Sequence, residues 1–145
     1  MVMGTRTTRQ MVEQGANMRF MLRWGNVFMA KFLQLCWMRP AEPRFTDVGC
    51  TFRALTQKTW QKIRARTREP GPAFSPEMMC AALQERCRVI EVPVTYARRM
   101  GGESKHSDTF SRQAKLAIKM FRTICRKRFL ERGSQIPKAG AHQAL

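Results

Sequence analysis

SPEMMCAALQERCRVIEVPVTYARRMGGESKHS, residues 75–107, reads as a helix, a strand and a basic glycine-rich loop in direct succession. Ser75 followed by Pro76 predicts a helix start, a hydroxyl able to cap and then proline at the first helical position, with the helix running to about Arg86. CRVIEVPVTY (87–96) is the strongest strand in the chain, rich in Val and Ile. The loop RRMGGESKHSDTF (98–110) then gathers two arginines, two glycines, Ser104, Lys105 and His106. Glycine permits backbone conformations closed to other residues and a close approach of a ligand, while Arg99 and Lys105 supply positive charge. The loop is therefore suited to clamping an oxygen-rich anion such as phosphate. The same residues also suit a solvated connection, and their context has to choose.

Upstream, MVMGTR reads as the end of a strand entering a turn. From about Gln14 to Trp37 a Met-rich segment carries apolar residues at helical spacing: Met18, Met21, Leu22, Phe28, Phe32 and Leu35 form one face, widened by Met29, Leu33, Cys36 and Trp37. A long buried helix is expected there, ended by Pro40 and Pro43. TDVGCTFRAL follows as a short strand or turn leading into the helix TQKTWQKIRART. Beyond the opening stretch, a helix is expected from Asp108 to about Glu131. Phe110, Ala114, Ala117, Phe121 and Ile124 lie on one side of it, and Lys115, Lys119, Arg122 and Arg126 on the other. Such a helix either lies on an anionic membrane or packs on a core with a solvated basic back. The tail GSQIPKAGAHQAL is expected to be disordered.

The 145 residues, 43% of them hydrophobic, suffice for one small domain or part of one. A net charge of +17 demands an anionic partner: nucleic acid, an acidic membrane surface or phosphorylated substrates. The excess is uneven. Residues 76–108 carry five Lys/Arg against five acids, whereas 109–145 carry nine against Glu131 alone. Five widely spaced cysteines without a C-x-x-C pair fit a reducing cytosol rather than zinc or a disulfide framework. No segment reads as a signal peptide. Charged residues interrupt every apolar stretch before the roughly 18 to 20 residues needed to span a bilayer.

Five pieces in order, GTR (4–6), DVGCTFR (47–53), FSPE (74–77), EVPVTYARR (91–99) and GGESKHS (101–107), resemble the C-terminal half of family 2 glycosyltransferases, closest to the dolichyl- or polyprenyl-phosphate sugar transferases and related bacterial cell-envelope enzymes. The resemblance spans roughly residues 1–130 and is most specific in the run EVPV, then Tyr96 and Arg98, then GGESK. It implies an α/β chain with part of a GT-A fold. Residues 1–108 would form the acceptor-side part, 109–131 a basic amphipathic helix on the cytoplasmic membrane face, and 132–145 a tail. By position, Asp47 with Gly49 and Arg53 matches the acceptor-side acidic motif. Glu77 matches the acid heading the next helix, and Arg99, Ser104 and Lys105 match the loop over the phosphates. Arg6 joins the substrate-binding set.

The implied partners are a nucleotide-sugar donor and a polyprenyl-phosphate or glycan acceptor. Transfer from a nucleotide diphosphate builds charge on the leaving phosphate, so preorganised cations such as Arg99 and Lys105 would lower the barrier. With a lipid-phosphate acceptor Asp47 would orient groups; with a hydroxyl acceptor it is the candidate base. Full-length members also bind Mg2+ or Mn2+ through a D-x-D motif. This chain has two aspartates, Asp47 and Asp108, far apart in sequence, so no metal ligand is assigned and the chain is expected to be a fragment inactive by itself. Each assigned residue also has a plain structural role open to it: Asp47 as a turn carboxylate, Glu77 as a charge complementing a helix dipole, Arg6 as a surface charge. The competing class is a small basic nucleic-acid-binding protein, motivated by a pI near 11.2 and the arginines of residues 39–68, without a recognised binding motif.

Overall fold

The computed structural model describes residues 1–7, 20–37, 44–95, 97 and 110–131. They form a mixed α/β arrangement of three short strands and four α-helices. Strand β1 (Val2–Thr5) is central, with β2 (Arg53–Ala54) antiparallel on one side and β3 (Ile90–Pro93) parallel on the other. The register sets Val2 beside Ile90 and Thr5 beside Pro93, so β1 and β3 end together. Segments 98–109 and 132–145, with Arg99, Ser104, Lys105 and the expected tail, lie outside the described residues.

Helix α3 (Phe74–Gln84) is the hub. Every residue from Ser75 to Leu83 is buried, as expected of a helix apolar on nearly all sides. It starts two residues before the position read from Ser75-Pro76, because a 3-10 turn at Gly71–Ala73 feeds directly into it. Ser75 makes no cap; its Oγ lies 3.5 Å from the Cys50 carbonyl. Helix α2 (Gln57–Ile63) does begin on a capping hydroxyl: Thr56 Oγ1 accepts from Thr59 N at 3.2 Å. A 3-10 turn at Arg64–Arg66 follows it.

The core joins Met3 from β1, Phe45 and Val48 before β2, Ile63 from α2, Met79 and Leu83 from α3, and Val89 before β3. Helix α1 (Phe20–Trp37) adds Met29, Ala30 and Leu33. Phe28 and Leu35, expected on its buried face, are instead exposed, and Met18 lies outside the described residues. Apolar residues occupy more of the circumference of α1 than one core can cover, so packing rather than periodicity chose the inward arc.

Helix α4 (Phe110–Cys125) continues through a π-helical turn, Arg126–Leu130. It packs on α3 and α1, burying Met120, Thr123, Ile124 and Lys127. Ile124 sits inside as expected, but Phe110, Ala117 and Phe121 of the same expected face do not. The core faces an arc about a quarter-turn away. Among the described residues, one face of the sheet is exposed at Val2, Phe52 and Val92, Phe52 to 72%.

Candidate functional site: the carboxyl ends of β1 and β3

In α/β proteins, ligands gather where parallel strands end, because the loops leaving those ends converge there. At that end of β1, alternation puts Thr5 and Thr7 on one side of the chain and Arg6 on the other. Arg6 grips Asp47 through two parallel bonds, Nε to Oδ2 at 2.9 Å and Nη2 to Oδ1 at 3.1 Å. The Arg6 backbone N–H adds a third at 3.1 Å, and Gly49 N–H donates to Oδ1 at 2.9 Å. Four donors therefore converge on the fully buried Asp47, while the Arg6 side chain remains 24% exposed. This bidentate fork fixes the guanidinium in direction as well as position.

Glu91 of β3 braces the other side of Asp47. Its Oε1 accepts the backbone N–H groups of Thr46 and Asp47, at 2.9 and 3.1 Å, and its Oε2 accepts the Thr46 hydroxyl at 2.8 Å. With the Thr46 proton committed to Glu91, Thr46 Oγ1 becomes the acceptor for Thr7 Oγ1 at 2.9 Å, and Thr5 Oγ1 lies 2.8 Å away. Burial raises the carboxyl of Glu91 above its ordinary value; the Thr46 and Asp47 donors oppose this, and the nearby Asp47 charge adds to it. Gly49 leaves room for its neighbours: a Cβ would stand 2.6 Å from Asn26 Oδ1 of α1 and 3.2 Å from Arg6 Nη2, so both side chains would have to shift.

Arg53 belongs to the same neighbourhood with a different task. Its guanidinium donates to the carbonyls of Cys50 (3.0 Å), Ser75 (2.7 Å) and Val48 (3.3 Å), tying the 48–50 turn to the start of α3. Burial lowers its pKa to about 10, partly offset by Cys50 and Asp47, so it stays charged at neutral pH.

Glu77 is turned away from this centre. Its Oε2 accepts the N–H groups of Arg68 and Glu69, both at 2.7 Å, and Lys127 Nζ stands 3.1 Å from Oε1 with Arg126 Nη2 at 3.5 Å. Lys127, only 2% exposed, also donates to the Arg66 carbonyl and to Glu131, both at 2.6 Å. The structure thus brings Arg6, Asp47 and Arg53 together and places Glu77 in a separate network beneath α4.

Thr5, Thr7, Thr46 and Glu91 were not among the residues singled out from sequence. A lone glutamate inside the apolar run VIEVPV was the available signal: a charge on a strand survives only with partners, and Glu91 has three. Asp47 and Glu91 do not fit a divalent cation in this arrangement. Their lone pairs are taken by N–H and O–H donors, and among the described residues no group of three or more His, Cys, Asp or Glu could hold a metal ion.

No protein-family model, curated protein or solved structure matches the chain. Function is therefore argued from the resemblance of the sequence pieces together with the geometry of their residues.

Proposed function

We propose that this chain is the acceptor-side part of a family 2-like glycosyltransferase with a GT-A core. It would act in moving a sugar from a nucleotide-sugar to a lipid-phosphate or cell-envelope glycan acceptor at the cytoplasmic membrane face, and it would be inactive by itself. The observation that carries this is Arg6 held in a fork by buried Asp47 at the joint carboxyl end of β1 and β3. An oriented, partly exposed guanidinium at that place suits a phosphate oxygen. In sequence, the chain leaves the same end of β3 toward the basic segment containing Arg99, Ser104 and Lys105.

The geometry favours one acceptor chemistry over the other. A hydroxyl acceptor needs a base with a lone pair to offer. Asp47 already accepts four donors, so it is suited to orienting Arg6 and poorly suited to removing a proton. A lipid phosphate is ionised at neutral pH and needs no such base. We therefore assign Asp47 as the residue that aims Arg6 and favour the lipid phosphate among acceptors. The apolar sheet face exposed around Phe52 and Val92 among the described residues supports the reading that further structure completes the fold.

The test is binding of a short-chain polyprenyl phosphate in neutral detergent micelles, with the non-phosphorylated polyprenol as control. The expected result is binding of the phosphate alone, weakened about tenfold or more by Arg6→Ala and by Arg99→Ala, with no turnover of nucleotide-sugars. Equal binding of phosphate and alcohol, or tighter binding to duplex DNA with a steep salt dependence, overturns the reading.

A further inference from the structure

Helix α4 carries three stripes. Leu116, Met120, Ile124 and Lys127 turn toward the core, Lys115 and Arg122 stand on a solvated cationic stripe, and Phe110, Ile118 and Phe121 are exposed between these two arcs. Helix α1 has an unusual outer surface. Trp24, Phe28 and Leu35, at helical spacing on the side opposite Met29 and Leu33, are 57%, 65% and 65% exposed. Phe32 and Phe121 join the two helices, their rings stacked with centroids 4.6 Å apart. This stack sets the exposed apolar side of α1 next to that of α4, with Lys31 on the α1 side and Lys115 and Arg122 on the α4 side.

We propose that α1 and α4 together form a two-helix face that seats on an anionic phospholipid surface, Trp24 and Phe28 entering the headgroup boundary and the cations meeting lipid phosphates. This rests on the reading of residues 109–131 as membrane-facing and extends it to α1, a helix expected from sequence to be buried.

The occupant is chosen by charge. Two copies of this chain packed through the seam would oppose their own lysines and arginines, on a molecule whose net charge is already +17, whereas an anionic surface neutralises them. Apolar residues flanked by cations, with an indole among them, match the depth profile of a lipid interface: acyl boundary below, phosphates above. No helix among the described residues is long and apolar enough to cross a membrane, so the contact is one of lying on the surface.

The experiment uses the full chain and vesicles of phosphatidylcholine with or without phosphatidylglycerol, read by sedimentation and by tryptophan quenching with brominated phosphatidylglycerol. The expected results are binding to the anionic vesicles, weakened about tenfold or more by Phe28→Asp with Leu35→Asp at unchanged circular dichroism, and loss of most of the quenchable emission in Trp24→Phe. Lys115→Glu with Arg122→Glu should abolish the preference for phosphatidylglycerol. If that charge pair matters while Phe28→Asp with Leu35→Asp has no effect and Trp24 is not quenched, α4 binds alone and the two-helix face is wrong, although the membrane reading of α4 stands. Absence of vesicle binding overturns both. Equal binding to neutral vesicles overturns the anionic partner. A dimer in analytical ultracentrifugation that Phe28→Asp dissociates overturns the lipid occupant in favour of a second copy.

Discussion

Asp47 and Glu77 are both completely buried carboxylates, yet their surroundings assign them different work. Glu77 meets two backbone N–H groups and the ammonium of a lysine that is itself buried, so charge and countercharge are both sealed beneath α4. Asp47 meets a guanidinium that reaches solvent at the ends of two parallel strands. Burying an ion pair is repaid only when both partners are held and satisfied, and removing one partner leaves a stranded charge. The Glu77 network therefore locks α4 and the 66–69 turn onto α3, whereas the Asp47 pair fixes the direction of a partly exposed guanidinium at the ends of β1 and β3.

The largest effect should come from the sealed network. Lys127→Met is expected to destabilise the fold by about 3–5 kcal/mol in urea unfolding, because Glu77 loses its buried countercharge. Adding Glu77→Gln should recover a large part of that loss, since the amide oxygen can still accept from the Arg68 and Glu69 N–H groups. Purely additive losses in this cycle would show that the two residues do not act as a pair.

Asp47→Asn is expected to cost less, on the order of 2 kcal/mol: the amide NH2 replaces one oxygen and leaves a backbone N–H unpaired, but the remaining charge, on Arg6, is partly exposed and not sealed. Its larger consequence should be on binding, with polyprenyl phosphate affinity falling alongside that of Arg6→Ala. A stability loss exceeding that of Lys127→Met, with binding unchanged, would reverse the contrast between the two centres.

Acid sharpens the comparison further. Glu69 is partly desolvated, which raises its carboxyl, but Arg126 at 2.8 Å and Lys119 at 3.5 Å outweigh this and hold it below the ordinary 4.5. The unfolded chain therefore binds a proton at Glu69 more readily than the folded one. This contribution is fully present above pH 4.5 and is lost as the pH falls through the lower folded value. Thermal unfolding of Glu69→Gln should accordingly lose part of the wild-type pH dependence below 4.5.

The smallest effect is expected on the open sheet face. Phe52→Thr should change stability by no more than about 0.5 kcal/mol, since the ring touches little, while raising the protein concentration at which aggregation begins. A loss above about 2 kcal/mol would mean that the ring is covered in solution.

Local signals made several elements legible. Val and Ile marked β3, the stretch read as a helix from Thr56 contains α2, and apolar residues at helical spacing marked α1, although Met29 and Leu33, which only widened the expected face, are the ones buried. What misled was surplus: α1 and α4 carry apolar residues over wide arcs, and spacing alone cannot say which arc meets the core. Phe28, Leu35, Phe110 and Phe121 all fit a buried face on paper and are exposed in the fold. At the site, Asp47 and Arg6 were separate candidates, each carried over from the resemblance. Their partners Thr5, Thr7 and Thr46 did not, because a threonine hydroxyl carries no distinctive pattern until its neighbours are known.

By itself, the sequence determined the mixed α/β class, the strong cationic bias and the segments able to become helices or strands, since these depend on residue type and on spacing within one segment. Only the tertiary structure decided that Arg6 and Asp47, 41 residues apart, form a fork, that Glu91 braces the turn carrying Asp47, and that Glu77 belongs to Lys127 and not to Asp47. Hydrogen bonds and ion pairs act over a few ångströms, and which distant residues come within that reach is settled by how the strands and helices pack around the shared core.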